Sequence, residues 1–140
     1  MGLRRGGSAV AAVALLGLAG VHVAWGRGSS FPFATLDELH DAVIGRPVQP
    51  SPASCYVVAG LLATAAAATA GAPNRGSRLR KLAVVGTATV LATRAGFGLS
   101  GRTDALVPGS ASPRFRRLDR RVYSPLCLAL AAGAAMSLSE

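Results

Sequence analysis

Four apolar stretches, at residues 8–26, 53–72, 82–101 and 122–139, divide the chain, and the charged residues, Arg94 apart, fall between them or at their edges. A helix rises about 1.5 Å per residue and a bilayer's hydrocarbon core is about 30 Å thick, so each stretch approaches the length of a membrane crossing. The first carries no charge from Ser8 to Gly26, and the second is uncharged and very rich in alanine. A single charge, Arg94, interrupts the third. The fourth begins where the arginines of 116–121 give way to Val122. Ser124 and Pro125 read there as N-cap and first helical residue, because proline lacks only an amide that would be unbonded in that position. A helix from Pro125 onward is about 22 Å long, short of a bilayer core.

The connections also carry pattern. In residues 27–52, Thr35-Leu36-Asp37-Glu38 has the capping-box form, in which hydroxyl and carboxylate satisfy the first free amides of a helix. Leu36, Leu39, Val43 and Ile44 follow on one face, and Gly45 with Pro47 ends the run, which predicts a short amphipathic helix on the membrane surface. Residues 73–81 form a turn holding Arg75, Arg78, Arg80 and Lys81. Residues 102–121 read as irregular chain through Pro108, Gly109, Ser110 and Pro113 before the arginine run. Gly60, Thr64 and Ala68 make a small-xxx-small row, as do Ala63, Ala67 and Gly71, which permits close helix approach. The fold expected is all-α: an up-and-down four-helix transmembrane bundle, a single membrane domain over residues 1–140, with both termini on one side.

Composition narrows the class. Hydrophobic residues are 51% of the 140, high for a soluble domain of this size. The net charge of +9 comes with only 5% aromatics. Nucleic-acid recognition wants a basic face with stacking rings, whereas short basic runs beside apolar segments suit anionic lipid headgroups. The bilayer is therefore the expected partner, and nucleic acid is not. A cleaved signal peptide, with Arg4 and Arg5 as its charged start, rivals the first span, but three further apolar stretches favour an anchor. Cys55 and Cys127 have no metal-type spacing and read as small packing residues. No phosphate-binding glycine loop, nucleophile elbow or zinc motif is present, so neither cofactor nor metal is expected and an ordinary soluble enzyme is disfavoured.

Loop charges place the N-terminus in the cytoplasm of a cell-membrane protein, because Arg4, Arg5 and the four charges of the second connection outweigh the two arginines of the first. The six arginines of the third connection then lie outside, against the rule.

Alternation of the spans puts the unusual residues on one membrane face whatever the orientation. His22 and Trp25 close the first span, Cys55 and Tyr56 open the second, Arg94 and Phe97 lie in the far half of the third, and Asp119, Tyr123 and Ser124 open the fourth. Helical rise puts His22 about 21 Å and Arg94 about 18 Å along their spans, at one depth. The bland readings are an interfacial aromatic belt, a packing histidine, and an Arg94–Asp119 ion pair that merely joins two spans. The functional reading is that His22, Trp25, Arg94, Asp119 and Tyr123 line a shallow pocket for a lipid headgroup or another amphiphilic anion, since an intramembrane ionisable residue is a functional candidate. The alternative is a structural or accessory subunit whose small-residue rows pack on a membrane-protein partner or a second copy. A third reading, an enzyme using His22 as acid or base, lacks a visible reacting group.

The segment Phe115-x-x-Leu118-Asp119-Arg120-x-x-Tyr123-Ser124-Pro125-Leu126-Cys127, together with His22-x-x-Trp25-Gly26, Cys55-x-x-Val58-Ala59 and Arg94, resembles a bacterial family of small four-helix membrane proteins that carries only a domain-of-unknown-function label. The resemblance spans nearly the whole length. It implies a four-span integral membrane protein and transfers no catalytic role.

Overall fold

The computed structural model describes residues 2–46, 48–74, 76–110 and 112–139, without the side chains of Leu3 and Arg4. Pro47, read as part of a helix end, and Arg75, read as a loop charge, lie outside the described residues, as does the side chain of Arg4. The helices are α1 (Gly2–Gly26), α2 (Leu36–Val43), α3 (Pro52–Ala70), α4 (Arg78–Leu99) and α5 (Pro113–Ser139). No strand occurs among the described residues. Four helices, all but α2, are long and apolar enough to cross a membrane.

Local chemistry explains most of the ends. Ser51, Ser77 and Ser112 cap α3, α4 and α5 by accepting from the amide three residues on, and Pro52 and Pro113 occupy first-turn positions that need no amide. Gly71 closes α3 at φ +108°, where a side chain would be strained. At α2 the Thr35 hydroxyl accepts from the Glu38 amide at 3.2 Å, while Glu38 reaches back to the Ala34 amide rather than to that of Thr35.

One boundary differs from expectation. Ser124-Pro125 is not a cap; the helix starts at Pro113 and continues through Pro125 to Ser139. An interior proline lacks its amide and crowds the carbonyl four residues back. Here the preceding turn, Asp119–Tyr123, is a π turn in which the Ser124 amide bonds the Asp119 carbonyl, and this wider turn accommodates the ring. The 27-residue helix is thus about 40 Å long. It exceeds the hydrocarbon thickness of about 30 Å, so in a bilayer its arginine-bearing first turns would extend past the hydrocarbon.

Packing follows the up-and-down order, with α1 between α3 and α5, and α4 closing the ring between α5 and α3. Leu15 of α1 is fully buried with Ala11, Ala65, Ala66 and Leu130. Small residues let the backbones approach: a Cβ on Gly133 of α5 would collide with Ala11. Large apolar side chains instead point outward, including Val10, Val13, Leu61, Leu82 and Val90. In water that surface would be unfavourable by about 25 cal/mol per Å², whereas hydrocarbon accepts it. Gly60 and Thr64 also face outward, whereas Ala68, the third residue of their row, is buried with Val84 and Ala134.

At the end of the bundle that holds both termini, Arg80 is 2% exposed. Its Nε donates to the Ala68 carbonyl and its Nη2 to the Ser137 carbonyl, both at 2.8 Å. The sequence reading placed Arg80 among loop charges, but it ties the C-terminal ends of α3 and α5 to the start of α4. At the opposite end, α2 is fastened to the third connection and α5. The Tyr123 hydroxyl donates to Ala42 O at 2.9 Å, Ser110 Oγ to Ile44 O at 2.5 Å, and Arg46 to Pro108 O at 2.9 Å. Phe115 is buried against Gly45, whose φ of +76° and close approach to the ring exclude a side chain. The third connection is therefore a structured clasp rather than loose chain.

Candidate functional site

The five residues expected to form one pocket occupy three neighbouring but distinct environments at the α2 end. Arg94 and Asp119 form the first. Arg94 Nη2 donates to Asp119 Oδ1 at 2.7 Å, Ser124 Oγ donates to the same oxygen at 3.1 Å, and Thr103 Oγ1 donates to Oδ2. The Asp119 side chain is 2% exposed and that of Arg94 26%. Gly98 makes the arrangement fit, since a Cβ there would run into Ser124 Oγ. The carboxylate sits in the π turn and joins α4, the turn at Thr103–Ala105 and α5. Its charge compensates that of Arg94 through Nη2, while Arg94 Nη1 is buried without a hydrogen-bond partner.

His22 and Trp25 belong to the second. Their rings lie 4.8 Å apart, tilted by 57°, as neighbours three residues apart on α1 should. His22 Nδ1 lies 2.8 Å from the Leu18 carbonyl, and because a carbonyl only accepts, the proton sits on Nδ1. Trp25 Nε1 donates to Phe31 O at 2.7 Å. Both side chains face a cavity of about 210 Å³ between α1, α2 and α3, whose lining also includes Leu39, His40, Ile44 and Cys55. Arg94 and Asp119 are not in that lining. His40 was absent from the expected set, although Leu36, His40 and Val43 follow helical spacing on the face that turns inward.

The third environment is a groove of about 510 Å³ between α1, the first connection and α5. Leu18, Val21, Phe33, Val43 and Val122 make it mostly apolar; Trp25 and Tyr123 line it; Arg114 and Arg117 stand at its edge. Arg114 lies over the Phe33 ring, 5.4 Å from its centroid. Arg117 also lines an adjacent cleft of about 360 Å³ with Gly101, Arg116, Arg120 and Arg121. Neither lining contains an acid, and among the described residues none of these five arginines has a carboxylate partner. Five cations within about two to three helical turns repel one another unless anions lie between them.

Among the described residues no three His, Cys, Asp or Glu side chains converge as a metal site would require. Cys55 and Cys127 are both free thiols.

A family model described as protein of unknown function, DUF3995, matches residues 15–134. No curated protein and no solved structure matches the chain.

Proposed function

We propose that this chain, which belongs to the DUF3995 family of proteins of unknown function, is an integral membrane protein that binds an anionic lipid or similar amphiphilic anion in the groove between α1 and α5. The observation that carries the reading is the continuity of two surfaces through Arg117: an apolar groove on one side of it and an acid-free arginine cleft on the other. An acyl chain would lie along Leu18, Val21 and Val122. Its phosphate would meet Arg114 and Arg117, whose planar guanidinium groups suit bidentate phosphate contacts. Trp25 and Tyr123 keep a place at the groove as the amphipathic rings of its wall. His22 and Arg94 do not serve this ligand.

Native mass spectrometry tests the reading. The protein exchanged into mixed phosphatidylglycerol and phosphatidylcholine should retain phosphatidylglycerol. The Arg114→Gln/Arg117→Gln variant should lose that preference at least tenfold while keeping its helix content. Equal retention by both proteins counts against the groove.

The host membrane in this reading is the cell membrane, with the N-terminus cytoplasmic. Reporter fusions after Arg46 and after Gly109 that both read cytoplasmic reverse that orientation. A partner-binding subunit is the rival reading, supported by Gly60 and Thr64 facing outward with no neighbour against the glycine. Cross-linking in native membranes separates the two, because a stable complex with another membrane protein favours the subunit.

A further inference from the structure

The cavity between α1, α2 and α3 shares only Trp25 and Val43 with the anion groove and has a different chemistry. It holds no arginine or lysine, so an anion finds no fixed counter-charge there. Its polar side chains are two imidazoles, with Gln49 and Ser54 exposed at its edge and the Cys55 thiol and Trp25 indole in a mostly apolar wall. His40 is 8% exposed and faces the cavity, and among the described residues neither ring nitrogen makes a hydrogen bond. Neither nitrogen is fully buried, so both are reachable by a hydrogen-bonding ligand in the cavity. His22 is preset: with its Nδ1 proton given to Leu18 O, its Nε2 is free to accept in the neutral ring and to donate in the charged one.

Size and access restrict the occupant further. A cavity of about 150 Å³ accommodates a benzene ring, so about 210 Å³ fits one substituted six-membered ring and not a long chain. Ser54 and Val58, both exposed on α3, belong to the lining, so a tail attached to the ring can leave toward the surrounding lipid. A divalent metal is disfavoured, because His22, His40 and Cys55 do not converge as a ligand set.

We propose that this cavity binds the ring of a membrane quinone or quinol, with His40 donating to a ring oxygen, the neutral His22 Nε2 accepting from a quinol hydroxyl, and the isoprenoid or alkyl tail lying in the bilayer. Leu39 and Ile44, both on the α2 wall, and Trp25 supply apolar surface for the ring. The site rests on the same reading of the chain as a membrane protein, but not on the anion groove.

Trp25 is the single tryptophan of the chain and lines the cavity, so its fluorescence reports the site. Decylubiquinone titrated into the purified protein in detergent should quench it saturably. Checked for unchanged helix content, His40→Leu should weaken apparent affinity for decylubiquinone at least tenfold, and His22→Leu should weaken that for the reduced decylubiquinol at least tenfold. Quenching that rises linearly without saturation in the unaltered protein overturns the proposal, as does unchanged affinity in folded His40→Leu. A second arm needs no variant: decylbenzene, with the same tail and no ring oxygens, should fail to displace decylubiquinone from the unaltered protein, and equal competition by it overturns the proposal. The Arg114→Gln/Arg117→Gln variant should bind decylubiquinone normally, and His40→Leu should retain phosphatidylglycerol normally, so either proposal can fail while the other stands.

Discussion

Arg80 and Arg94 lie about 21 Å apart along α4 and mark the two ends of the bundle. Arg80 is almost wholly buried, donating to carbonyls at the C-terminal ends of α3 and α5. Arg94 is about a quarter exposed and meets a buried carboxylate that two hydroxyls also engage. Helix C-termini bring unsatisfied carbonyls and partial negative charge, and where two of them converge a guanidinium satisfies both without an acid. At the other end a fixed carboxylate had to be buried, and it in turn fixed its cation. The plain end is therefore closed by a charge that holds backbone. The end with the cavity and the groove is closed by an ion pair, and the ligand chemistry proposed above falls to the histidines and unpaired arginines nearby.

Removing Asp119 should have the largest effect. Asp119→Ala strands Arg94, Thr103 and Ser124 together, and breaking a buried pair from one side costs about 3–5 kcal/mol. Unfolding in detergent followed by circular dichroism measures it. Arg80→Ala should cost about 3 kcal/mol, from two charge-assisted hydrogen bonds to otherwise unsatisfied carbonyls, and Arg80→Lys about half of that. If Arg80→Ala is as stable as the unaltered protein, the contrast between the ends collapses. Arg94→Gln should cost only about 1–2 kcal/mol, since the side chain is partly solvated and Asp119 keeps its two hydroxyl donors. It should also leave phosphatidylglycerol retention unchanged, because Arg94 lies outside the groove. Smallest is Tyr123→Phe, at about 1 kcal/mol for one hydrogen bond to Ala42 O. Hydrogen exchange should show its effect confined to α2 and the third connection.

The sequence was most legible where a signal is local and repeated. Apolar runs of near-bilayer length, broken by a charge only at Arg94, marked the long helices, and the Thr35 to Glu38 capping box with its apolar face marked α2. Ser124-Pro125 misled because the same dipeptide does cap α3 and α5, at Ser51-Pro52 and Ser112-Pro113. Only the π turn that relieves Pro125 distinguishes the third case, and its hydrogen bonding leaves no mark in residue identity. Arg80 was misplaced because its partners are main-chain carbonyls, which every residue has. The pairing of Arg94 with Asp119 was weighed from sequence as a structural option, since both are charged and share a face. What alternation of spans could not resolve was that one face of the bundle holds three separate environments. His40 was the missed side chain, although its spacing from Leu36 and Val43 put it on the inward face of α2.

Lipid anions held at one groove leave a different footprint from anions spread all around the bundle. Photo-cross-linking with a phosphatidylglycerol carrying a reactive group in its headgroup, followed by peptide mapping, distinguishes the two. Cross-links concentrated on Phe33 and on residues 114–122 are predicted, lost in the Arg114→Gln/Arg117→Gln variant. Cross-links spread evenly over the outward faces of α1, α3 and α4, and unchanged in that variant, would contradict binding at the groove.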